Sequence, residues 1–439
     1  MIGAGVSGLC ATKALGLAGF DVTCFEQSDR LGGLWVLGNR NGLSAAYRSL
    51  TTNTSRARTE FCDFPMPPEW PHYPRHDQIL SYLEAYVDRF GFRDRLVLGT
   101  TVERAEPLAD GRWQLTLDGD DRRIFDRLVV ANGHHLSPRF PDPPIPGEFT
   151  GRSMHGRDFI DAAPFENRRV AVVGMGNSAM DIAVDCSFVA AKTFLVARRG
   201  VHVIPKTLFG RPSDEIRRHR RWPFRLRQAL TSALTRRQVG DQRRYGLPKP
   251  DHAILTAHPT LSDDVFPRLA AGAIVPKPEI VAFEQSLARF ADGTSEALDA
   301  VIYCTGYSYA YPFFSPEFAA ALDATIPLFR RVFPLGIPNL LFVGAATAVG
   351  SLFPLAEAQS EWIAESLAGR YALPTKDRMR ADVIAQSAAT RRKYRAARPS
   401  VAQVDADDYI AALRVERRAG SARAAKNAST SRGVRSMTI

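Results

Sequence analysis

The chain opens with MIGAGVSG (residues 1–8), a glycine-rich turn of the form Gly-x-Gly-x-x-Gly. An apolar stretch follows, and residues 21–25 then form a short run that ends in Glu26. This order predicts a turn, a helix and a strand of a dinucleotide-binding unit. There the glycines let the backbone approach a pyrophosphate, and the acidic residue accepts hydrogen bonds from ribose hydroxyls. The residues assigned to this first site are Gly3, Ala4, Gly5, Val6, Ser7, Gly8 and Glu26.

A second turn of the same kind, GMGNSA, occupies residues 174–179. The predicted strand that follows it, residues 193–197, ends in Arg198 and Arg199, where the first unit has Glu26. Guanidinium groups at this place pair with a 2′-phosphate on the ribose, whereas a carboxylate selects free hydroxyls. The sequence therefore predicts FAD at the first turn and NADPH at the second, with hydride passing between them. The residues assigned to the second site from this pattern are Gly174, Gly176, Ala179, Arg198 and Arg199.

Predicted strands and a proline cluster divide the chain. Residues 128–131 form the last strand before prolines at 138–146, which suit a crossing between domains. Strands are then predicted at 169–173, 300–303 and 339–346, the last of them back in the first domain. The fold class is α/β, with two Rossmann-like dinucleotide-binding domains and the NADPH domain inserted into the FAD domain. The predicted boundaries are 1–162 and 301–372 for the FAD domain, 163–300 for the NADPH domain, and 373–439 for a tail that is helical and, from Ala419, disordered.

Composition fits a globular enzyme of two domains: 439 residues, 45% apolar and 23% charged. The five cysteines stand far apart without a C-x-x-C pair, and no charged and apolar leader opens the chain, so a reducing, cytoplasmic setting is expected. Only Met1 and Ile2 precede the first glycine, which leaves little of the strand that delivers the turn. A start upstream of Met1 would supply that strand, and adding those residues is expected to improve FAD retention.

The net charge of +11 is concentrated in residues 211–244, which hold eleven arginines against three acidic residues. Interleaved apolar residues allow weak contact of this segment with an anionic membrane surface. The alternative is a solvated excursion of the second domain. Nucleic acid is not an expected partner, because nothing else in the chain supports it.

The order of these motifs resembles the class B flavin-dependent monooxygenases, over about residues 1–370. A linker signature, Phe149-x-Gly151-x-x-x-His155-x-x-x-Phe159, precedes the second turn and is the most specific part of the resemblance. Phe159 stands where the Baeyer-Villiger branch usually has Trp, which favours the branch that oxygenates nitrogen and sulfur. The other motifs that carry the resemblance are Gly32-Gly33-Leu34-Trp35, Asn53-Thr54-Ser55-Arg56 and Thr305-Gly306-Tyr307, together with both turns and Glu26.

This resemblance implies that NADPH reduces FAD and that the reduced flavin captures O₂ as a C(4a)-hydroperoxide. The oxidant then oxygenates a soft nucleophile, an amine nitrogen or a sulfur, of a small-molecule substrate. Neither a metal nor a protein nucleophile is required. Three alternatives stay open: Baeyer-Villiger oxygenation of a ketone, a flavin reductase or disulfide oxidoreductase, and a non-enzymatic flavoprotein that binds a partner through residues 211–244.

The resemblance also implies roles for single residues. Asn53 is the predicted catalytic residue, with its amide facing the flavin and the nicotinamide; an Asx turn in a polar loop is the alternative. His155 suits a packing and hinge role better than that of a general base. Pro74 separates His72 from His76, so a metal pair is not expected. The further cofactor-binding residues are Gly33, Leu34, Trp35, Thr52, Thr54, Asn177, Ser178, Asp181 and Gln359.

Overall fold

The computed structural model describes residues 1–39, 41–216, 222–257, 259–324, 327–394 and 403–435. Its first sheet is parallel and is built around the amino terminus, because Ile2 bridges both Val130 and Phe25. The strand Leu128–Val130 pairs with Leu340–Phe342 on one side of Ile2, and Cys24–Glu26 pairs with Leu96–Leu98 on the other. The segment that returns late in the chain therefore completes the sheet of the first turn.

A second parallel sheet carries the second turn. Its strands lie in the order Ile274–Lys277, Lys192–Val196, Arg169–Val173, Ala300–Tyr303 and Arg152–His155. The central strands Arg169–Val173 and Ala300–Tyr303 are mostly apolar and largely buried, as expected for a parallel sheet covered on both faces. The predicted strands 169–173 and 300–303 are confirmed, whereas the predicted strand 193–197 ends one residue earlier than expected.

The two sheets are joined by a pair of crossing segments. Ser137–Pro138 leads out of the first domain and pairs antiparallel with Tyr307–Ser308, which leads back into it. His155 lies beside this crossing. Its Nε2 donates a hydrogen bond to the Gly306 carbonyl at 3.1 Å, and its Nδ1 accepts one from the Arg157 N–H. These contacts support the predicted packing role of His155 in the linker.

Smaller sheets complete the two domains. The first sheet is flanked by the antiparallel strands Val102–Pro107, Trp113–Leu117 and Arg122–Phe125. The second sheet is flanked by a separate sheet that consists of Gly147–Phe149, Ile280–Gln285, Leu287–Phe290 and Ser295–Ala297. Two-stranded pairs join Val203–Ile204 to Thr260–Leu261, Thr207–Leu208 to Arg211–Pro212, Leu328–Phe329 to Phe333–Pro334 and Thr347–Val349 to Gln403–Asp405.

Helices cover the faces of both sheets. The first helix packs against the helix of the returning segment, and the second-turn helix packs on its own sheet. No helix in the described part of the chain has the length and hydropathy needed to cross a bilayer. The α-helices are Val6–Leu17, Arg56–Thr59, His76–Phe90, Asn177–Val189, Ser213–Ile216, Phe224–Val239, Val265–Ala270, Pro316–Ala324, Phe353–Leu367, Lys376–Lys393 and Ala406–Arg435.

The predicted disorder from Ala419 is wrong as far as the structure describes the tail. Residues Ala406–Arg435 form one helix, which packs against Phe353–Leu367. Alanine and arginine are strong helix formers, so the same composition that suggested disorder favours a helix once one face is packed. Arg417 contributes to that packing through ion pairs with Glu361 and Glu365.

The arginine-rich segment folds back onto the second domain where it is described. Phe224–Val239 is a helix in which Thr231 is buried, while Trp222 and Leu226 are partly exposed. Gln228 donates to the carbonyl of Ile254 at 2.8 Å, which ties the helix to a neighbouring loop. Arg217, Arg218, Arg220 and Arg221 lie outside the described residues.

Candidate cofactor and active site

The first glycine turn delivers an open helix end. Helix Val6–Leu17 begins after Gly5 without a side-chain cap and without an acidic residue in its first turn, so its leading N–H groups are free for an anion. Gly8 is required at its position because a Cβ there would lie 1.8 Å from the Gly3 carbonyl oxygen. The residues of this turn that line the adjoining cavity are Gly3, Gly5, Val6 and Ser7.

Glu26 lies at the carboxyl end of its strand and lines the same cavity. Its two carboxylate oxygens accept hydrogen bonds from the backbone N–H groups of Ala4, at 2.7 Å, and Ser28, at 2.9 Å. Burial raises the pKa of Glu26, while these two hydrogen bonds oppose the rise. The carboxylate is therefore held rigidly beside the turn, with acceptor capacity left for ribose hydroxyls.

The second glycine turn has the same design. Helix Asn177–Val189 begins after Gly176 with no side-chain cap and no acidic residue in its first turn. Gly176, Asn177 and Ser178 line the cavity. The Asn177 side chain is oriented by the Leu261 N–H, which donates to its Oδ1 at 2.7 Å.

Both turns open into one continuous cavity of about 1370 Å³. This volume exceeds the roughly 300–1,000 Å³ of a typical site for one small molecule. Two uncapped helix ends in a single cavity are suited to two pyrophosphates, each at its own turn. The residues present thus fit a pair of dinucleotides that meet within the protein.

The loop at residues 51–56 forms part of the wall of this cavity. Its backbone is fixed by two hydrogen bonds, from Thr52 N–H to the Pro74 carbonyl at 2.9 Å and from Arg56 N–H to the His72 carbonyl at 2.7 Å. The Arg56 guanidinium donates to the carbonyls of the neighbouring loop, those of Pro67, Pro68 and Trp70. Arg56 is therefore an anchor of this loop.

Asn53 and its neighbours Thr52 and Thr54 line the cavity. The Oδ1 of Asn53 and the Oγ1 of Thr52 are buried and have no hydrogen-bond partner among the described residues. Orphaned polar atoms are rare in folded proteins and call for a ligand or water. The Asn53 side chain is therefore not used by an internal Asx turn, and it fits contact with a cofactor. Gly33, Leu34 and Trp35 line the same cavity on the side of the first turn.

Asp181 does not line the cavity, contrary to the prediction. It is partly buried at the junction of the two domains, where its Oδ2 accepts a hydrogen bond from the Tyr47 hydroxyl at 2.6 Å. Asp185, one turn later, accepts a hydrogen bond from Ser49 in the same way. Both carboxylates thus point from the second-turn helix toward the first domain.

Gln359 is also absent from the cavity wall. It is fully buried in helix Phe353–Leu367, where its Oε1 accepts from Gly344 N–H at 2.9 Å and its Nε2 donates to the Tyr409 hydroxyl at 2.8 Å. The amide therefore connects the returning segment to the carboxy-terminal helix. Sequence reasoning missed this because the partner, Tyr409, lies in the segment predicted to be a mere tail.

Arg198 and Arg199 lie beyond the end of strand Lys192–Val196 and are not part of the cavity wall. The Arg198 side chain is 72% exposed and is 4.0 Å from Glu279. Such an exposed pair is weak, so the guanidinium can turn toward an incoming 2′-phosphate at little cost. The remaining assigned residues belong to the two turns but do not line the cavity. They are Ala4, Gly8, Gly174 and Ala179.

Several cavity residues were not predicted. His134 and His135 lie in the loop that follows the strand Leu128–Val130, and the rule that ligands bind at the carboxyl ends of parallel strands would have found them. Other missed residues come from the arginine-rich segment and the carboxy-terminal region, where no local motif marks them. Among them are Phe224, Arg227, Lys393, Tyr394, Gln403, Asp405 and Asp407.

A model of the flavin-binding monooxygenase-like family matches residues 1–419. The chain belongs to this family. Relatives include the N-oxide-forming dimethylaniline monooxygenase 2 of Mus musculus, 31% identical over 95% of this chain and 82% of the relative. Flavin-containing monooxygenase 5 of Cavia porcellus is 32% identical over 87% of this chain and 75% of the relative. The predicted family is confirmed, and with it the predicted class of enzyme, a flavin-dependent monooxygenase.

Solved structures of flavin-binding monooxygenases show the same architecture. S-allyl-L-cysteine S-oxygenase from Allium sativum superposes with a TM-score of 0.68 at 25% identity, covering 98% of this chain and 92% of that one. Cyclohexanone monooxygenase superposes with a TM-score of 0.73 at 18% identity, covering 96% and 97%, a likeness of fold alone. The predicted fold class, two Rossmann-like domains in one α/β chain, is confirmed.

Proposed function

We propose that this flavin-binding monooxygenase binds FAD at the first glycine turn and NADPH at the second, and that it oxygenates an amine nitrogen or a sulfur. The observation that carries the proposal is the single cavity shared by two uncapped helix ends. The strand that follows each turn leads to side chains of opposite charge, Glu26 and Arg198. This difference supports free ribose hydroxyls at one site and a 2′-phosphate at the other.

The protein's part in such a reaction is to hold, orient and shield. A bound flavin supplies the activation of O₂ once it is reduced. The N–H groups of the two helix ends hold the pyrophosphates, and Glu26 holds a ribose. We propose that Asn53 contacts the cofactor pair through its amide and stabilises charge that develops during oxygen transfer.

The names of two similar proteins indicate the proposed substrate class. One forms N-oxides from dimethylaniline, and one oxygenates the sulfur of S-allyl-L-cysteine. Phe159 supports this branch over ketone oxygenation, because the Baeyer-Villiger branch usually has Trp at this position. The Phe159 ring is fully buried and packs on Phe165 and Tyr47. A panel of tertiary amines, thioethers and cyclic ketones tests the choice: turnover of ketones alone would establish a Baeyer-Villiger enzyme instead.

Replacing Asn53 by alanine tests the proposed mechanism. Asn53→Ala should still bind flavin and oxidise NADPH, yet form product about 10²-fold more slowly, the usual effect of losing one charge-stabilising donor. The NADPH consumed should then appear as hydrogen peroxide. Product and peroxide are measured per NADPH in the same assay.

A matched control comes from the same cavity. Asn41 also lines it, but its Oδ1 already accepts a hydrogen bond from the Leu43 N–H. Asn41→Ala should therefore leave the ratio of product to peroxide unchanged. Unaltered coupling in Asn53→Ala would remove Asn53 from the mechanism.

A further inference from the structure

Lys206 is a buried cation beneath the loop that carries Asn53. It lies in the second domain, between the short strands Val203–Ile204 and Thr207–Leu208, and only 8% of it is exposed. Its ammonium reaches across the domain junction and donates to the Thr51 Oγ1 at 2.8 Å and to the Thr52 carbonyl at 3.3 Å. Both acceptors immediately precede Asn53 in the chain.

This arrangement is unusual for a lysine. A buried ammonium normally has a carboxylate partner, because desolvation of the charge is costly. No salt bridge within 4.0 Å joins Lys206 to a carboxylate among the described residues. Asp181 provides a longer-range compensating charge: burial raises the pKa of that carboxyl, and Lys206 opposes the rise. The ammonium is thus placed for its contacts with the loop, with further support from the Tyr73 ring, whose centroid is 5.7 Å away, and from longer-range electrostatics.

The same segment of the second domain contacts the loop on both sides of Asn53. Beyond Lys206, the Oδ2 of Asp214 accepts a hydrogen bond from the Ser55 N–H at 2.7 Å. Tyr73 lies between His72 and Pro74, whose carbonyls accept hydrogen bonds from the loop. Its hydroxyl donates to the carbonyl of Lys206. The second domain therefore contacts the loop on both sides of Asn53.

We propose that Lys206 is a positioning residue that sets the orientation of Asn53 and so makes the second domain part of the reaction centre of the first. The inference rests on the proposed function, because it takes Asn53 as the residue that contacts the cofactors. It adds that the two backbone hydrogen bonds from the loop to residues 72 and 74 do not by themselves set the orientation of the Asn53 side chain. The charge-assisted hydrogen bonds from Lys206 to the Thr51 hydroxyl and the Thr52 carbonyl set it, and both exist only while the two domains are docked.

The test compares Lys206→Met with Lys206→Arg. Lys206→Met removes the donor at similar volume, and product formed per NADPH should fall about tenfold, the scale of one charge-assisted hydrogen bond, with peroxide rising in step. Flavin content and the KM for NADPH should stay unchanged. Lys206→Arg keeps charge and donors and should restore most of the coupling.

A matched control is Lys277→Met. Lys277 belongs to the same domain and is similarly buried, with 12% of its side chain exposed, but it pairs with Glu296 at 3.0 Å, away from the loop. Equal uncoupling in Lys277→Met and Lys206→Met would overturn the proposal, because any buried lysine would then have the same effect. If Lys206→Met does not fold, Thr51→Val removes one acceptor instead and should raise the peroxide fraction by itself. No change in Thr51→Val would then count against the proposal.

The double variant separates this inference from the proposed function. If Lys206 acts through Asn53, adding Lys206→Met to Asn53→Ala should cause no further loss of coupling. Full additivity of the two effects would overturn the positioning role while leaving Asn53 catalytic. Normal coupling in Asn53→Ala alone would instead overturn the proposed role of Asn53.

Discussion

Single residues determine how each nucleotide site differs from the other. Glu26 is held by two backbone N–H groups beside the first turn, so its charge is fixed in place. Arg198 is exposed and is only loosely paired with Glu279. Glu26 is therefore fixed in place before any ligand binds, whereas the proposed role of Arg198 requires its side chain to move.

Replacing Arg198 tests whether its side chain binds the 2′-phosphate of NADPH. Arg198→Ala should raise the KM for NADPH by about 10-fold to 100-fold, the scale of one or two hydrogen bonds to a charged group. The KM for NADH should stay the same, since NADH lacks the 2′-phosphate. Steady-state kinetics with both cofactors provide the measurement. Equal changes for NADPH and NADH would show that Arg198 does not read the phosphate.

Among the elements, the strands and helices around the glycine turns were predictable, and the carboxy-terminal ones were not. The strands Arg169–Val173 and Ala300–Tyr303 are short, apolar runs bounded by turn residues, so their pattern alone identifies them. The helix Ala406–Arg435 has no such apolar run in its sequence, and its stability comes from contacts with residues far away in the chain. One of these partners is Tyr371, whose hydroxyl donates to Glu416 at 2.9 Å.

Gly420 tests the packing of this helix. A Cβ at Gly420 would lie 1.9 Å from the Tyr371 ring, whose ring in turn packs edge-on against Trp362. Gly420→Ala should therefore destabilise the protein by about 1–3 kcal/mol through overpacking. In an exposed or disordered segment the same change would be neutral or would stabilise the helix by about 0.5–1 kcal/mol.

Thermal and urea unfolding measure the effect. Ser421→Ala is the control, because Ser421 is exposed and its hydroxyl bonds only to the Arg417 carbonyl of its own helix. A higher midpoint in Gly420→Ala than in the parent would mean that the helix does not pack on Tyr371 as the structure has it.

In the molecule as a whole, the insertion of one domain into the other follows from the order of strands, but the seam between them does not. The predicted boundaries at 162, 300 and 372 depend on prolines and strand ends, which local sequence shows. The seam consists of side chains from distant positions, such as Tyr47 with Asp181 and Thr51 with Lys206. None of these pairs belongs to a motif, and that is why Asp181 was assigned to a nucleotide when it contacts the other domain.

The shared cavity predicts that binding at the two proposed sites is interdependent. Because both turns line one cavity of about 1370 Å³, each dinucleotide should cover surface that the other leaves exposed to water. NADP⁺ should then slow flavin release and tighten flavin binding by about tenfold, within the usual range of coupling between sites, and flavin should tighten NADP⁺ binding by the same factor. Flavin fluorescence after dilution, with and without NADP⁺, measures the effect. Adenosine 2′,5′-bisphosphate is the control, since it carries the adenosine half without the nicotinamide and should leave flavin release unchanged. Identical flavin affinity with and without NADP⁺ would show two independent sites, and the proposed transfer of hydride within one cavity would then have no structural basis.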